Sequence, residues 1–239
     1  MQLSEVERQY DRASKYYDAF SSVVLGGLLR AEKYRERAVE LLGDLKGATV
    51  LDVGCGTGRN FGLLVPRVGE HGRVIGLDYS RGMLRVARRR VTRRKWRNIR
   101  LINGDASKLD GVDEPVDAVI SVWCFGLVED LELVLNRAIG VVRPGGSVSI
   151  MVFVRSRPDR GPLRHFYPIY GYAIQRSGLD RAGDLDDAKL RQKWQRGKTL
   201  LRLRLDNYRE EHYLLGTLAI LAGRKSIHQG ACPVHLEVA

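Results

Sequence analysis

Between residues 48 and 154, short apolar runs alternate with segments whose apolar residues recur at helical spacing. The runs TVLDV, RVIGL, NIRLI, VDAVISV and SVSIMVFV are rich in β-branched residues and bounded by Gly, Asp or Pro, the mark of buried strands. Between the second and third, Ser80–Trp96 carries Met83, Ala87 and Val91 one turn apart. Between the fourth and fifth, Leu131, Leu135, Ala138 and Val142 form a stripe across Val128–Val142. The RPGG at 143–146 is expected to stop that helix and turn the chain. Alternation of this length predicts an α/β fold, a mostly parallel Rossmann-like sheet with helices on both faces.

Two helical segments come before this core. In the first, Val6, Tyr10, Ala13, Tyr17 and Phe20 line one face opposite Glu7, Arg8, Asp11, Arg12 and Lys15. In the second, Tyr34, Ala38, Leu41 and Leu45 repeat the pattern, which predicts packing on the sheet. After Val154 the texture changes. RSRPDRGPLRHFYPIYGY is rich in Pro and Tyr, as an irregular lid would be. A charged helix is expected from about 185 to 197, and LRLRLDNYREEHYLLGTLAILAGRK predicts two final strands. The expected organisation is a single domain over 1–225: a helical cap (1–46), the core (48–154), a lid (155–200) and terminal strands (201–225). Residues 226–239 read as a loosely held tail.

Composition adds one departure from the ordinary. Hydrophobic residues at 44% and charged residues at 28% are usual for a globular protein, and 239 residues suffice for a sizeable core. No apolar run is long enough to span a membrane, and the charged start lacks an apolar leader. Cys55, Cys124 and Cys232 are few and scattered, so the expectation is a reducing cytoplasm with no disulfide framework and no metal site. The formal net charge of +12 is the departure, and it favours anionic partners without choosing among them. Nine Arg or Lys lie within residues 85–100, where Ala87 and Val91 mark the buried side of a helix. Its outer face leaves two partners open: an anionic membrane surface and, less favoured, nucleic acid.

The candidate chemistry starts at VLDVGCGTGRN, residues 50–60. Gly54, Gly56 and Gly58 let the backbone leave a strand sharply and approach a ligand, and the next helix offers free N–H groups to it. A dinucleotide fingerprint would place its third glycine at 59, where this chain has Arg. A pyrophosphate would be repelled by Asp52, whereas an ammonium would be held by it. An adenosine that carries an amino acid and no phosphate fits both facts: S-adenosylmethionine. Asp78 ends the second strand, twenty residues beyond Gly58, where a carboxylate can accept from ribose hydroxyls. Asp105 ends the third strand, so three acids stand at the C-terminal ends of three strands, the edge where open α/β sheets bind ligands.

The segments VLDVGCGTG, VIGLDYSRGML, INGDASKL, VDAVISVWC and VVRPGGSVSI resemble the successive motifs of class I S-adenosylmethionine-dependent methyltransferases, over roughly residues 48–154. That family has a seven-stranded sheet with an antiparallel last strand. The resemblance implies that Asp52, Gly54, Gly56 and Gly58 hold the methionine end, with Asn60 and Val122 also on the cofactor. It puts Asp78 on the ribose, Tyr79 and Met83 beside the adenine, and Asp105 and Ala106 at its edge. YDRASKYYDAF, GPLRHFYPIYGY and LAILAGRK are similar to flanks of quinone-biosynthesis and phospholipid N-methyltransferases. In such enzymes the N-terminal helix folds over the cofactor, which would involve Tyr10 and Tyr17.

SVWCFG follows the fourth strand in place of the Asn/Asp-Pro-Pro-aromatic motif of many nucleic-acid methyltransferases, and no Pro-Cys pair offers a covalent nucleophile, so Cys124 is expected to line the pocket. Acceptor-side candidates are Tyr16, Tyr17, Trp123, His165, Tyr167, Tyr170 and His212, and none is singled out as a catalytic base. The expected activity is methyl transfer to a small or lipid-like acceptor, either a phospholipid headgroup amine or a quinone-type ring. An RNA acceptor and a non-catalytic cofactor-binding protein are the alternatives.

Overall fold

In the computed structural model, residues 31–155 and 187–227 are described. The elements in chain order are α1 (Ala31–Glu40), β1 (Thr49–Val53), α2 (Phe61–Val68), β2 (Arg73–Asp78), α3 (Arg81–Arg94), β3 (Ile99–Asn103), β4 (Val116–Val122), α4 (Leu131–Gly140), β5 (Val142–Phe153), α5 (Asp187–Arg204), β6 (Leu205–Tyr213) and β7 (Leu218–Lys225). They form one seven-stranded sheet in the order β3-β2-β1-β4-β5-β7-β6. β1 pairs in parallel with both β2 and β4, β2 with β3, and β4 with β5. β7 runs antiparallel between β5 and β6. The strand order reverses beside β1, so the ends of β1 and β4 flank the crevice that such sheets use for ligands.

Each central strand is buried on both faces, which explains why its sequence reads as a continuous apolar run. Val50, Val74, Ala118, Ile120 and Met151 face α1, α2 and α3, packing with Val39, Leu42, Phe61, Leu64 and Ala87. Leu51, Ile75, Val119 and Ile150 face the other way, packing with Leu135 and Ala138 of α4 and with Trp194 and Leu201 of α5. The helices begin where the sequence provides caps. The Ser80 hydroxyl accepts from the Met83 N–H at 3.1 Å, and the Asp130 carboxylate accepts from the Leu133 N–H at 2.9 Å.

Four boundaries differ from the sequence reading. α1 ends at Glu40, so Leu45 is buried from the following turn and not from the helix. α4 starts at Leu131 and ends at Gly140, before RPGG, because Val142 already pairs with Val116 in the sheet. RPGG then lies inside β5, where the register slips between Val116 and Ala118 and accommodates the proline. Lastly, LRLR at 201–204 closes α5, a helix that starts near the expected point but runs to Arg204. Leu201 and Leu205 are buried while Leu203 is exposed; that alternation suits a strand or a helix end equally.

Candidate functional site

β1, β2, β3 and β4 deliver their last residues to one edge of the sheet, and the glycine-rich loop leaves β1 there. The loop is pinned by its own backbone: the N–H groups of Gly54 and Cys55 donate to the Leu77 carbonyl at 2.8 and 3.0 Å. Gly54 and Gly56 have φ of +71° and +55°, the left-handed region that side chains disfavour. They serve different ends. A Cβ on Gly54 would overlap Cys124, so this glycine permits β4's exit to pack against the loop. A Cβ on Gly56 would meet nothing within 4 Å, so it borders open space at the strand ends.

Beneath the loop lies a chain of buried polar groups. Asp52 is wholly inaccessible to solvent. Both of its oxygens accept from the Asn60 amide, at 2.9 and 3.0 Å. Asn60 Oδ1 in turn accepts from Nη1 of Arg35, a buried residue of α1, at 2.6 Å. Asn60 occupies the N-cap of α2 without a side-chain cap bond; its amide is turned inward to this chain instead. Burial pushes the Asp52 carboxyl up to about 7, opposed by the Asn60 hydrogen bond and the Arg35 charge and reinforced by Asp78. Asp52 was expected to stand beside the ligand itself. Within the described residues its side chain is buried in the packed interior of a central strand, with both oxygens covered by the Asn60 amide.

Asp78 and Asp105 are placed at the open edge. Asp78 Oδ2 accepts from the Gly56 N–H at 2.7 Å and Oδ1 from the Ser80 N–H at 2.9 Å, so this carboxylate joins β2 to the glycine loop. Asp105 Oδ1 accepts from the Ser107 N–H at 2.7 Å, while its buried Oδ2 has no hydrogen-bond partner among the described residues. An unpartnered buried carboxylate oxygen is costly and calls for a donor from beyond the described residues. Tyr79 and Ala106, both partly exposed, directly follow these acids in the chain; Val122, buried, ends β4, and Met83 is buried in the first turn of α3.

β4's exit supplies an aromatic wall. Trp123 has φ +62°, a left-handed backbone, and its N–H donates to the Met151 carbonyl at 2.8 Å. Its indole stacks on Phe153 with the rings 7° from parallel and their centres 6.3 Å apart. The Arg35 guanidinium lies over the same indole, 5.0 Å from its centre. Cys55 and Cys124 flank the loop as thiols; burial first, then the nearby Asp52 and Asp78, raises both above the ordinary thiol range. Neither is a nucleophile in that state.

Among the sequence candidates, Asp52, Gly54, Gly56, Gly58, Asn60, Asp78, Tyr79, Met83, Asp105, Ala106, Val122 and Trp123 converge on this edge. His212 does not: it sits on β6, three strands from β4, with Nε2 2.7 Å from Glu210 Oε1 in a cluster with Lys198 and Arg202. Tyr10, Tyr16, Tyr17, His165, Tyr167 and Tyr170 lie outside the described residues. Two residues were missed, Arg35 and Phe153. Arg35 had a signal: it begins the stripe Arg35, Val39, Leu42, a charge on an otherwise buried helix face. Phe153 was hidden at the end of an apolar run.

Known proteins share this arrangement. The family model of a methyltransferase domain matches residues 50–146. A demethylmenaquinone methyltransferase from Geobacillus sp. (strain WCH70) is 33% identical over 165 residues, covering 69% of this chain and 69% of that protein. The protein of the same name from Listeria monocytogenes serotype 4a (strain HCC23) is 34% identical over 181 residues, covering 72% and 75%. In fold, the chain is similar to an S-adenosylmethionine-dependent methyltransferase from Aquifex aeolicus, with a TM-score of 0.53, 18% identity and coverage of 80% and 89%. It is also similar to the N-methyltransferase NodS from Bradyrhizobium japonicum WM9 in complex with S-adenosyl-L-homocysteine, with a TM-score of 0.53, 14% identity and coverage of 81% and 86%. The glycine-rich turn with its acids at the strand ends, the sheet order and these relatives agree: the chain belongs to the class I S-adenosylmethionine-dependent methyltransferases.

Proposed function

We propose that this enzyme methylates a quinone-type ring, with its cofactor lodged between the glycine loop and the acids of β2 and β3. The observation that carries the acceptor reading is the 33–34% identity, over some 70% of the chain, to proteins named demethylmenaquinone methyltransferase. The flat wall formed by Trp123 and Phe153 supports it, since parallel aromatic faces at the strand ends can hold a ring by offset stacking.

The residues fit the cofactor. Asp78 accepts a backbone N–H on each oxygen, and the two oxygens of a carboxylate offer about four lone-pair sites, which suits it to further donors such as the ribose hydroxyls. Asp105 Oδ2 awaits a donor of the kind an adenine amino group provides. Gly56 leaves space for close approach, and Tyr79 and Ala106 would border the base. S-adenosylmethionine supplies the activated methyl group. The chain then has to orient the acceptor, exclude water and leave the aromatic wall dry; alignment alone contributes about 7–11 kcal/mol.

The partner reading follows from the α3 surface. Arg88, Arg89, Arg93, Arg94 and Lys95 are exposed there, and no acid occurs in residues 79–104. This array suits an anionic membrane, where a ring with a hydrocarbon tail would dissolve, at about 1 kcal/mol of attraction for each basic residue near the surface.

The acceptor wall is tested with Phe153→Ala. The variant should raise KM for a demethylmenaquinone analogue severalfold and leave affinity for S-adenosylhomocysteine unchanged. Unchanged KM would count against the wall.

A further inference from the structure

The Arg35–Asn60–Asp52 chain ties α1, which lies outside the matched methyltransferase segment, to the centre of the cofactor site. Three observations set it apart from ordinary packing. Arg35 is buried on the apolar face of its helix, where a charge is disfavoured unless it is paired. Asn60 makes no side-chain cap bond to α2 and instead accepts from Arg35. The guanidinium also lies over Trp123, so one side chain touches the support of the cofactor loop and the acceptor-side wall together. Glu32, also of α1, extends the network at the surface: its carboxylate lies 3.5 Å from Arg35 Nε and pairs with Arg59 of the glycine loop.

We propose that Arg35 is a positioning residue for methyl transfer: it fixes the Asn60 amide over Asp52 and supplies the positive charge that lets Asp52 act as an anion beneath the methionine end of the cofactor. The proposal rests on the cofactor placement given above. Asn60 is oriented by its two neighbours, because its oxygen meets only a donor and its nitrogen only acceptors. Without Arg35, the amide loses the bond that sets its direction, and Asp52 loses a nearby cation that opposes its desolvation. Asp52 then keeps only the hydrogen bonds from the Asn60 amide, no longer fixed in direction, against its burial and the charge of Asp78 on β2, with the neutral thiols of Cys55 and Cys124 close by. A cofactor ammonium above Asn60 would then lie over a neutral acid in place of an anion. Methionine or glutamine at 35 could keep the packing on Trp123; only a cation can do the rest.

The test is calorimetric titration of S-adenosylhomocysteine into wild type, Arg35→Met and Arg35→Lys across pH 6 to pH 8, with thermal unfolding of each variant. Arg35→Met should weaken binding at neutral pH by roughly tenfold or more, the scale of a lost charge-assisted hydrogen bond. It should also move the pH at which affinity rises to a higher value. Arg35→Lys, which keeps the charge and loses the fork, should hold the wild-type pH profile at intermediate affinity. Should Arg35→Met fail to fold, the lysine variant carries the test alone. Wild-type affinity in Arg35→Met, an equal loss at every pH, or a displaced profile in Arg35→Lys would each overturn the proposal. If wild type itself does not bind S-adenosylhomocysteine, the cofactor placement fails and this inference with it; failure of methyl transfer to a quinone would leave it standing.

Discussion

At the residue scale, the carboxylates divide the work by depth. Asp78 and Asp105 are at the edge with capacity to accept, while Asp52 is sealed beneath Asn60. Asp105→Asn keeps the Oδ1 bond to Ser107 and changes only the unpartnered position, so it should weaken S-adenosylhomocysteine binding about tenfold with stability within about 1 kcal/mol of wild type; paired calorimetry and thermal unfolding check this. Asp52 sets a pH dependence. Its folded pKa of about 7 lies above the ordinary 3.8, so it stabilises the fold fully below the ordinary value. That contribution is lost as pH rises through about 7. Cofactor binding runs the opposite way, because an ammonium favours the anion. Affinity for S-adenosylhomocysteine should therefore rise from about pH 6 to about pH 7.5, below the titration of its own amino group, with protons released on binding. Titrations in buffers of different ionisation enthalpy measure that release. The acid at 52 was legible as a departure from the dinucleotide pattern; its burial was not, since a sequence does not show which strand residue lies under a neighbouring side chain.

At the scale of elements, α1 stands out. Its packing was readable from Tyr34 and Ala38, but its reach into the site depends on a third-dimensional contact between residues 35 and 60. It is also held at the far side: Arg37 pairs with Glu211 of β6 at 2.6 Å, and Tyr34 meets Tyr213 with ring centres 4.7 Å apart. The β6–β7 turn shows what local patterns conceal. Leu214 and Leu215 adopt φ of +50° and +56°, a conformation costing a leucine roughly 1–2 kcal/mol. Leu215 is more than half exposed, so little packing offsets that cost. Leu215→Asn should raise stability by about 0.5–1 kcal/mol in denaturant unfolding, because Asn tolerates the left-handed region. The boundary errors at RPGG and LRLR have one origin: glycine, proline and alternating leucines are consistent with several local structures, and sheet pairing decides among them.

At the scale of the molecule, a mostly parallel sheet with helices on both faces was legible from the strand–helix alternation, and the antiparallel seventh strand from the family resemblance; the order of the strands emerged only in the fold. The acceptor was not, since it is selected by side chains that converge only in the folded chain. Among the described residues no helix is long and apolar enough to cross a membrane, and the basic face of α3 is the surface on which the proposed membrane contact is tested. Replacing Arg88, Arg89, Arg93 and Arg94 together with Gln should abolish flotation with anionic vesicles at low salt and leave S-adenosylhomocysteine affinity unchanged. Retained flotation, or tighter binding of wild type to RNA than to vesicles, would contradict the membrane reading.

The central claim is methyl transfer to a quinone-type ring, and the most direct measurement gives the purified enzyme methyl-labelled S-adenosylmethionine with a demethylmenaquinone analogue in reduced and oxidised forms, phosphatidylethanolamine vesicles and RNA in parallel. The account predicts label on a ring carbon of the quinone analogue and none in the other fractions; label in the phospholipid headgroup or in RNA, with none in the quinone, would contradict it.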